Sequence, residues 1–296
     1  MKQRYLGKAV ILGLALGFAT YSNIGLAANY SAGGAVTSGT NTIAIGVDST
    51  TSASDRNSIA MGYQATATGI GGTAIGWYAK VTGGDSIAIG SSATTTSGVA
   101  VAIGSSATAG NWSNAIGHAA TASGFVSTAI GNSAKASGQD SNAIGENATA
   151  SSDYANAIGY KATASGYRSN AIGSAAIASN DNAVALGNYS KTTVAHTNIT
   201  EQQAVLGGTT YNYAGLASDT NGTVSVGQVG KERQIQNIAA GDVSATSTDA
   251  INGSQLYATN TALVNLDALA VKYDDSNHKN ITLNNTRIAN VAPGDI

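Results

Sequence analysis

The residues able to do chemistry are few and scattered. Three histidines occur in 296 residues, His118 after a glycine turn, His196 and His278 in polar stretches. None has a second histidine or a carboxylate pair at metal-ligand or acid/base spacing, so each reads as an ordinary surface imidazole. The chain has no cysteine, which removes thiolate nucleophiles, thiolate zinc sites and disulfides together. No G-x-x-x-x-G-K-[ST] loop is present, and the Gly71-Gly72 and Gly83-Gly84-Asp85 stretches lack the nine-residue recurrence of calcium-binding β-roll repeats. The expectation is a protein that is not an enzyme and has no cofactor and no metal. What the side chains offer instead is contact: Trp77, Tyr78, Trp112, Phe125, Tyr154, Tyr167, Arg168 and Tyr189 stand out in a chain of small residues. Aromatic rings and arginine are favoured at protein interfaces. Trp112, Phe125, Tyr154, Tyr167 and Arg168 are therefore candidate ligand contacts; packing between subunits or at the edges of the fold is the alternative.

The elements that carry these residues must themselves be unusual. Charged residues make up 10% of the chain, against about 25% in ordinary soluble proteins. The net charge is −2, with 37 Gly, 1 Pro, 2 Phe and 2 Trp. Such a chain has no basic footprint for nucleic acid, and it lacks the bulky side chains of a thick core. Lys2, Arg4 and Lys8, the apolar run Ala9 to Ala19 and the small residues Gly25-Leu26-Ala27 read as a signal peptide over 1–27 that directs export.

A repeat supplies the regularity. A glycine closing an A-I-G-type triplet recurs at Gly46, Gly62, Gly76, Gly90, Gly104, Gly117, Gly131, Gly145, Gly159, Gly173 and Gly187, mostly fourteen residues apart. Ahead of it residues alternate as in Ile87-Ala88-Ile89; after it comes a second alternation such as Ala148-Thr149-Ala150. A unit this short cannot bury its apolar face alone, so the spacing predicts an all-β solenoid, a parallel β-roll of stacked rungs. At about 4.8 Å per rung, eleven rungs make a rod on the order of 50 Å long. Isoleucine on one strand opposite alanine on the other is expected to fill the narrow interior. Asn114, Asn142, Asn156 and Asn170 fall on the isoleucine face and predict an internal amide ladder, or else an exposed ligand-binding row. Thr66, Thr94, Thr108, Thr121, Thr149 and Thr163 form a column broken by Lys80, Lys135 and Ile177; an unbroken array would suit an ice or crystal surface.

The units Asn41 to Gly46 (N-T-I-A-I-G) and Asn57 to Gly62 (N-S-I-A-M-G) resemble the head repeat of YadA-like trimeric autotransporter adhesins, and the likeness runs over 41–187. Val224 to Gly227, Glu232 to Ile235, Asn237, Ala239 to Gly241, Thr248 to Ala250, Asn252 and Gln255-Leu256 are similar to the neck of the same family. The resemblance implies a left-handed roll, a homotrimer, anchorage in a bacterial outer membrane, and adhesion to host matrix or to other bacteria. On this reading the chain divides into a signal peptide (1–27), head repeats (28–187), an insertion of unknown structure containing Tyr211-Asn212-Tyr213 (188–222), a neck (223–247), a stalk helix (248–272), and a linker with the start of a second neck (273–296). Arg287 to Ile296 repeats the pattern of Gln234 to Val243 and stops, and the family's membrane anchor is missing, so the chain reads as a fragment of a longer adhesin.

Ser247 or Thr248 is expected to cap the stalk helix with Asp249 in its first turn. Leu256, Leu263 and Ala270 at heptad spacing, with Leu266, form a short coiled-coil seam. Glu232, Arg233 and Asp249 are candidate inter-subunit clamps or solvated charges. The expected partners are the chain itself as a homotrimer and host matrix proteins such as collagen, fibronectin or laminin. The alternative functions are a non-adhesive trimeric spacer presenting further domains and, after it, an ice- or surface-binding β-solenoid.

Overall fold

The three residues ahead of each repeat glycine form a short strand, and two residues after the following turn form a shorter one, because alternation of period two is the strand signature. The computed structural model describes residues 30–192 apart from 36, 38, 53 and 55, residues 203–215 apart from 207, and residues 222–270. Strands such as Ile87–Ile89, Val101–Ile103 and Asn142–Ile144 stack in parallel into a 13-stranded sheet that runs from Tyr30–Ala32 to Val224–Ser225. The two-residue strands, Thr50–Thr51 through Ile177–Ala178, stack into a 10-stranded parallel sheet. Register is fixed residue on residue, with Asn142, Ala143 and Ile144 beside Asn156, Ala157 and Ile158. The result is a parallel β-solenoid of about eleven turns.

Alanine alone lines the space between the sheets over most of the rod. Ala102, Ala115, Ala129, Ala143 and Ala157 of the long strands and Ala109, Ala122, Ala136, Ala150 and Ala164 of the short strands are completely buried. The isoleucines flanking the long-strand alanines point the other way; Ile130 and Ile144 are each 38% exposed. The expected isoleucine–alanine interior is therefore corrected to an alanine interior with isoleucine outside. Two sheets joined by turns of a few residues come so close that a methyl group from each side fills the gap.

Serine completes that interior. Ser86, Ser113, Ser127 and Ser141, each just ahead of a long strand, are fully buried. Ser113 Oγ donates to the Gly124 carbonyl at 2.6 Å and accepts from the Ser127 amide at 3.2 Å, satisfying turn groups that have no strand partner. The glycine after each long strand is required by both conformation and space. At Gly145 φ is +131°, and a Cβ would sit 2.5 Å from the Gly159 carbonyl oxygen of the next rung.

The asparagine ladder forms, but on the outside. Asn142 Nδ2 donates to Asn156 Oδ1 at 2.8 Å, and Asn156 Nδ2 to Asn170 Oδ1 at 2.9 Å. These amides share the outward face with the isoleucines and are half-buried, and Thr128 stands between Asn114 and the ladder. The threonines line the outer face of the short-strand sheet.

The chain divides into two compact units, the first holding the roll and continuing through Arg233. Val224–Ser225 adds to the long-strand sheet beside Val184 and Ala185, so the roll resumes after the insertion. The second unit contains an antiparallel hairpin, Gln203–Leu206 with Thr209–Asn212, which includes Tyr211, and the helix Gly253–Leu269. The helix begins later than expected. Asn252 is its N-cap: its side chain accepts from the Gln255 amide at 3.2 Å while Gln255 Oε1 accepts from the Asn252 amide at 3.2 Å. This capping box wins over Ser247 and Thr248, and leaves Asp249 outside the first turn. The signal peptide (1–27), the linker and second neck (273–296) and much of the insertion lie outside the described residues.

Candidate functional site

Each rung turns two corners, and both hold a residue with positive φ that, apart from Gly71, is not glycine. In one rung these are Asn147 (φ 57°) and Tyr154 (φ 59°). The left-handed conformation aims the corner amide along the rod: Tyr154 N–H reaches the Gln139 carbonyl at 2.8 Å, and Arg168 N–H the Asp153 carbonyl at 3.0 Å. Backbone pairing thus continues through the corners, while the side chains project in columns at the rung spacing of about 4.8 Å.

The corner preceding the long strands carries all five candidate contacts. Tyr154 and Tyr167 meet edge to face at 5.7 Å between ring centroids, and the Arg168 guanidinium lies 4.8 Å from the Tyr167 ring and 5.7 Å from that of Tyr154. All three project from the surface. Trp112 and Phe125 stand exposed on earlier rungs of the same corner, with the Gln139–Asp140 rung between them and the tyrosine pair. Two residues that sequence reading missed hold this corner in place. Asp153 Oδ1 accepts from the Gln139 amide and Asp181 Oδ1 from the Tyr167 amide, both at 2.8 Å. Their signal was present: each aspartate occupies the same rung position, fourteen residues beyond the amide it receives.

The charged residues of the neck are engaged within the chain. Arg233 Nη1 donates to Ser190 Oγ at 3.0 Å and to the Val226 carbonyl, and Nη2 donates to the Asn188 carbonyl, so the guanidinium closes the end of the roll. Glu232 Oε1 accepts from the Gly230 amide at 2.8 Å; that hydrogen bond, with one from its own amide, holds the carboxyl below the usual glutamate range. Asp249 Oδ2 accepts from the Asp242 amide at 3.0 Å. Leu256, Leu263 and Leu266 lie on the helix with more than half their surface exposed, whereas Ala270 is the extended C-cap and falls outside it.

His118 is a corner residue, and the described residues contain no group of three or more metal-ligating side chains. No described helix is long and apolar enough to cross a membrane. What the arrangement offers is repeated, outward-facing contact surface.

Comparison with known proteins agrees with that description. The YadA head domain repeat matches residues 37–55, 53–79, 126–141, 136–162, 157–169 and 164–190, and the coiled stalk of trimeric autotransporter adhesin matches residues 234–272. Autotransporter adhesin BtaE of Brucella suis biovar 1 (strain 1330) is 51% identical over 76 residues, which is 23% of this chain and 10% of that protein. The chain therefore spans about a tenth of the length of this curated relative. Among solved structures, the C-terminal YadA-like domain of a Burkholderia pseudomallei protein is 44% identical with a TM-score of 0.34, covering 38% of this chain and 52% of that one. The collagen-binding domain of Yersinia adhesin YadA is 29% identical with a TM-score of 0.48, covering 62% of this chain and 86% of that one. Head repeats followed by a stalk segment are what the roll and the helix amount to, and in both parts the chain is similar to YadA-like trimeric autotransporter adhesins.

Proposed function

We propose that this chain is the head and stalk-start of an adhesin displayed on the bacterial outer membrane, acting as a homotrimer that attaches to host matrix proteins and to neighbouring cells. The observation that carries the adhesive surface is the contact of Tyr154, Tyr167 and Arg168 on one corner, extended along the rod by Phe125 and Trp112. Rigid rings with a guanidinium over them bind with little loss of side-chain freedom, and a filamentous matrix protein lying along the rod can touch several rungs at once. Each contact is shallow, so three heads on one stalk and many copies per cell multiply weak binding into firm attachment. The homotrimer is supported by the apolar outer face of the 13-stranded sheet, by the leucines Leu256, Leu263 and Leu266, and by the stalk match.

Solid-phase binding of the head to collagen, fibronectin and laminin tests this reading. Changing Tyr154, Tyr167 and Arg168 together to alanine is expected to lower affinity for the bound matrix protein at least about tenfold, because a central aromatic or arginine contact contributes roughly 2 kcal/mol or more. The rings are outside the alanine interior, so the circular dichroism spectrum is expected to stay unchanged. Binding undiminished in the triple variant removes the corner from the adhesive surface.

A further inference from the structure

The opposite corner, following the repeat glycines, carries a second aromatic cluster near the N-terminal end of the roll. Trp77 and Tyr78 meet edge to face at 4.4 Å, and Tyr63 and Tyr78 at 5.5 Å. Asp48, Gln64 and Tyr78 occupy the same left-handed position on three successive rungs, so their side chains form one column. Gln64 Nε2 lies 3.3 Å from the Tyr63 hydroxyl and 3.5 Å from Asp48 Oδ2. Lys80 projects from the adjacent short strand, and with Asp48, Gln64 and Tyr78 it lines a concavity of about 570 Å³.

We propose that this concavity binds a neutral saccharide, with the Tyr78 ring that lines it, and the Tyr63 and Trp77 rings packed against Tyr78, receiving the C–H face of a sugar, and Asp48, Gln64 and Lys80 hydrogen-bonding its hydroxyls. A sugar ring has one apolar face and a rim of groups that both donate and accept. The corner supplies the matching set: π faces, an acceptor-only carboxylate, a donor-only ammonium and an amide that does both. A peptide strand would look for unpaired backbone, but the amides of Gln64 and Tyr78 are already bonded to the rung before them. The carboxylate and the ammonium offset each other, which favours an uncharged ligand over an acidic one. Desolvation of the Tyr78 hydroxyl, with Tyr63 and Asp48 beside it, pushes its pKa above the ordinary phenol value. Lys80 also finds its reason here, as an interruption of the threonine column that serves the corner beside it.

The site stands apart from the Tyr154–Tyr167–Arg168 surface, and the two fail separately. In a Trp112→Phe background Trp77 is the only tryptophan, and its emission reports directly on this corner. Titration of the chain with neutral hexose and N-acetylhexosamine di- and tetrasaccharides is expected to shift that emission saturably, at about millimolar concentration for such a shallow site. Asp48→Asn and Lys80→Met, surface changes that leave the alanine interior intact, are each expected to weaken the response at least tenfold. Calorimetry with Trp77→Ala is expected to show no binding. An emission unmoved by every neutral sugar, a response to acidic sugars alone, or a response undiminished in the Asp48→Asn/Lys80→Met double variant overturns the proposal. Matrix binding measured with Trp112 intact is expected to be unaffected by the Asp48 and Lys80 changes.

Discussion

Valine is an unexpected choice at a left-handed corner, and the roll makes it twice, with Val99 at φ 54° and Val126 at φ 57°. A β-branched side chain crowds the backbone there, whereas asparagine and aspartate tolerate the conformation through local hydrogen bonds. Asn41, Asn57 and Asn182 hold the position on other rungs of the same column, with φ between 54° and 58°. Val126→Asn is therefore expected to stabilise the head by about 0.5–1 kcal/mol, read as a higher urea midpoint with an unchanged slope. A midpoint that falls would show that the valine packs usefully at the corner. The same residue-level detail decides what was legible in the sequence. Alternation in Asn142-Ala143-Ile144 placed alanine and isoleucine on opposite faces without saying which was inside. The usual rule puts the larger apolar residue in the core, and here it fails for isoleucine, because the narrow gap between the sheets is filled almost throughout by alanine, with Val81, Thr51 and Thr95 the largest side chains it takes from the short strands. The short strands held the better clue: in Ala148-Thr149-Ala150 the alternative to alanine is threonine, and a row of threonines belongs outside.

At the scale of elements the repeat was readable and the helix start was not. Strand positions follow from a fourteen-residue recurrence seen many times over, while a cap is a single local event with several candidates. Ser247, Thr248 and Asn252 can all cap, and the decision came from Gln255, which besides completing the box exchanges hydrogen bonds with Gly241: its Oε1 accepts from the Gly241 amide at 3.1 Å and its Nε2 donates to the Gly241 carbonyl at 2.7 Å. The side chain thereby ties the helix to the segment ahead of it, and Asn252 Nδ2 adds a bond to the Ile238 carbonyl at 3.2 Å. The aromatic corner was legible as a composition but not as a site, since residues thirteen and fourteen apart become neighbours only once the rung length is known. Gln255→Ala is expected to cost about 1–3 kcal/mol, more than the roughly 1 kcal/mol of an ordinary cap, because backbone groups on both segments lose their partner. Thermal melts of the two single variants check the order, and an Asn252→Ala effect exceeding that of Gln255→Ala would place the stabilisation in the cap alone.

For the molecule as a whole, the rod separates what folds it from what assembles it. Burial of alanine and rung-to-rung hydrogen bonding lie inside a single roll, whereas the isoleucine row on the outer face of the long-strand sheet contributes little to either. That row runs the length of the roll, from Ile45 and Met61 through Ile130, Ile144 and Ile158 to Leu186, and the asparagine ladder beside it gives the face a polar stretch able to fix how copies align. An apolar stripe of roughly several hundred Å² or more marks a protein interface, and in the proposed homotrimer this is the surface each roll presents to its neighbours. Changing Ile130, Ile144 and Ile158 together to lysine is then expected to leave the β-roll folded, with its circular dichroism retained, while sedimentation shifts from trimer to monomer. Three like charges on successive rungs repel within a chain, but they stay solvated there; buried against a second and third copy they would face an uncompensated desolvation cost of several kcal/mol each. A variant that stays trimeric would move the interface to another face. One that loses both fold and assembly would make the outer row part of the folding unit, and an intermediate substitution with threonine, as already stands at Thr128 in the neighbouring row, separates the charge from the shape.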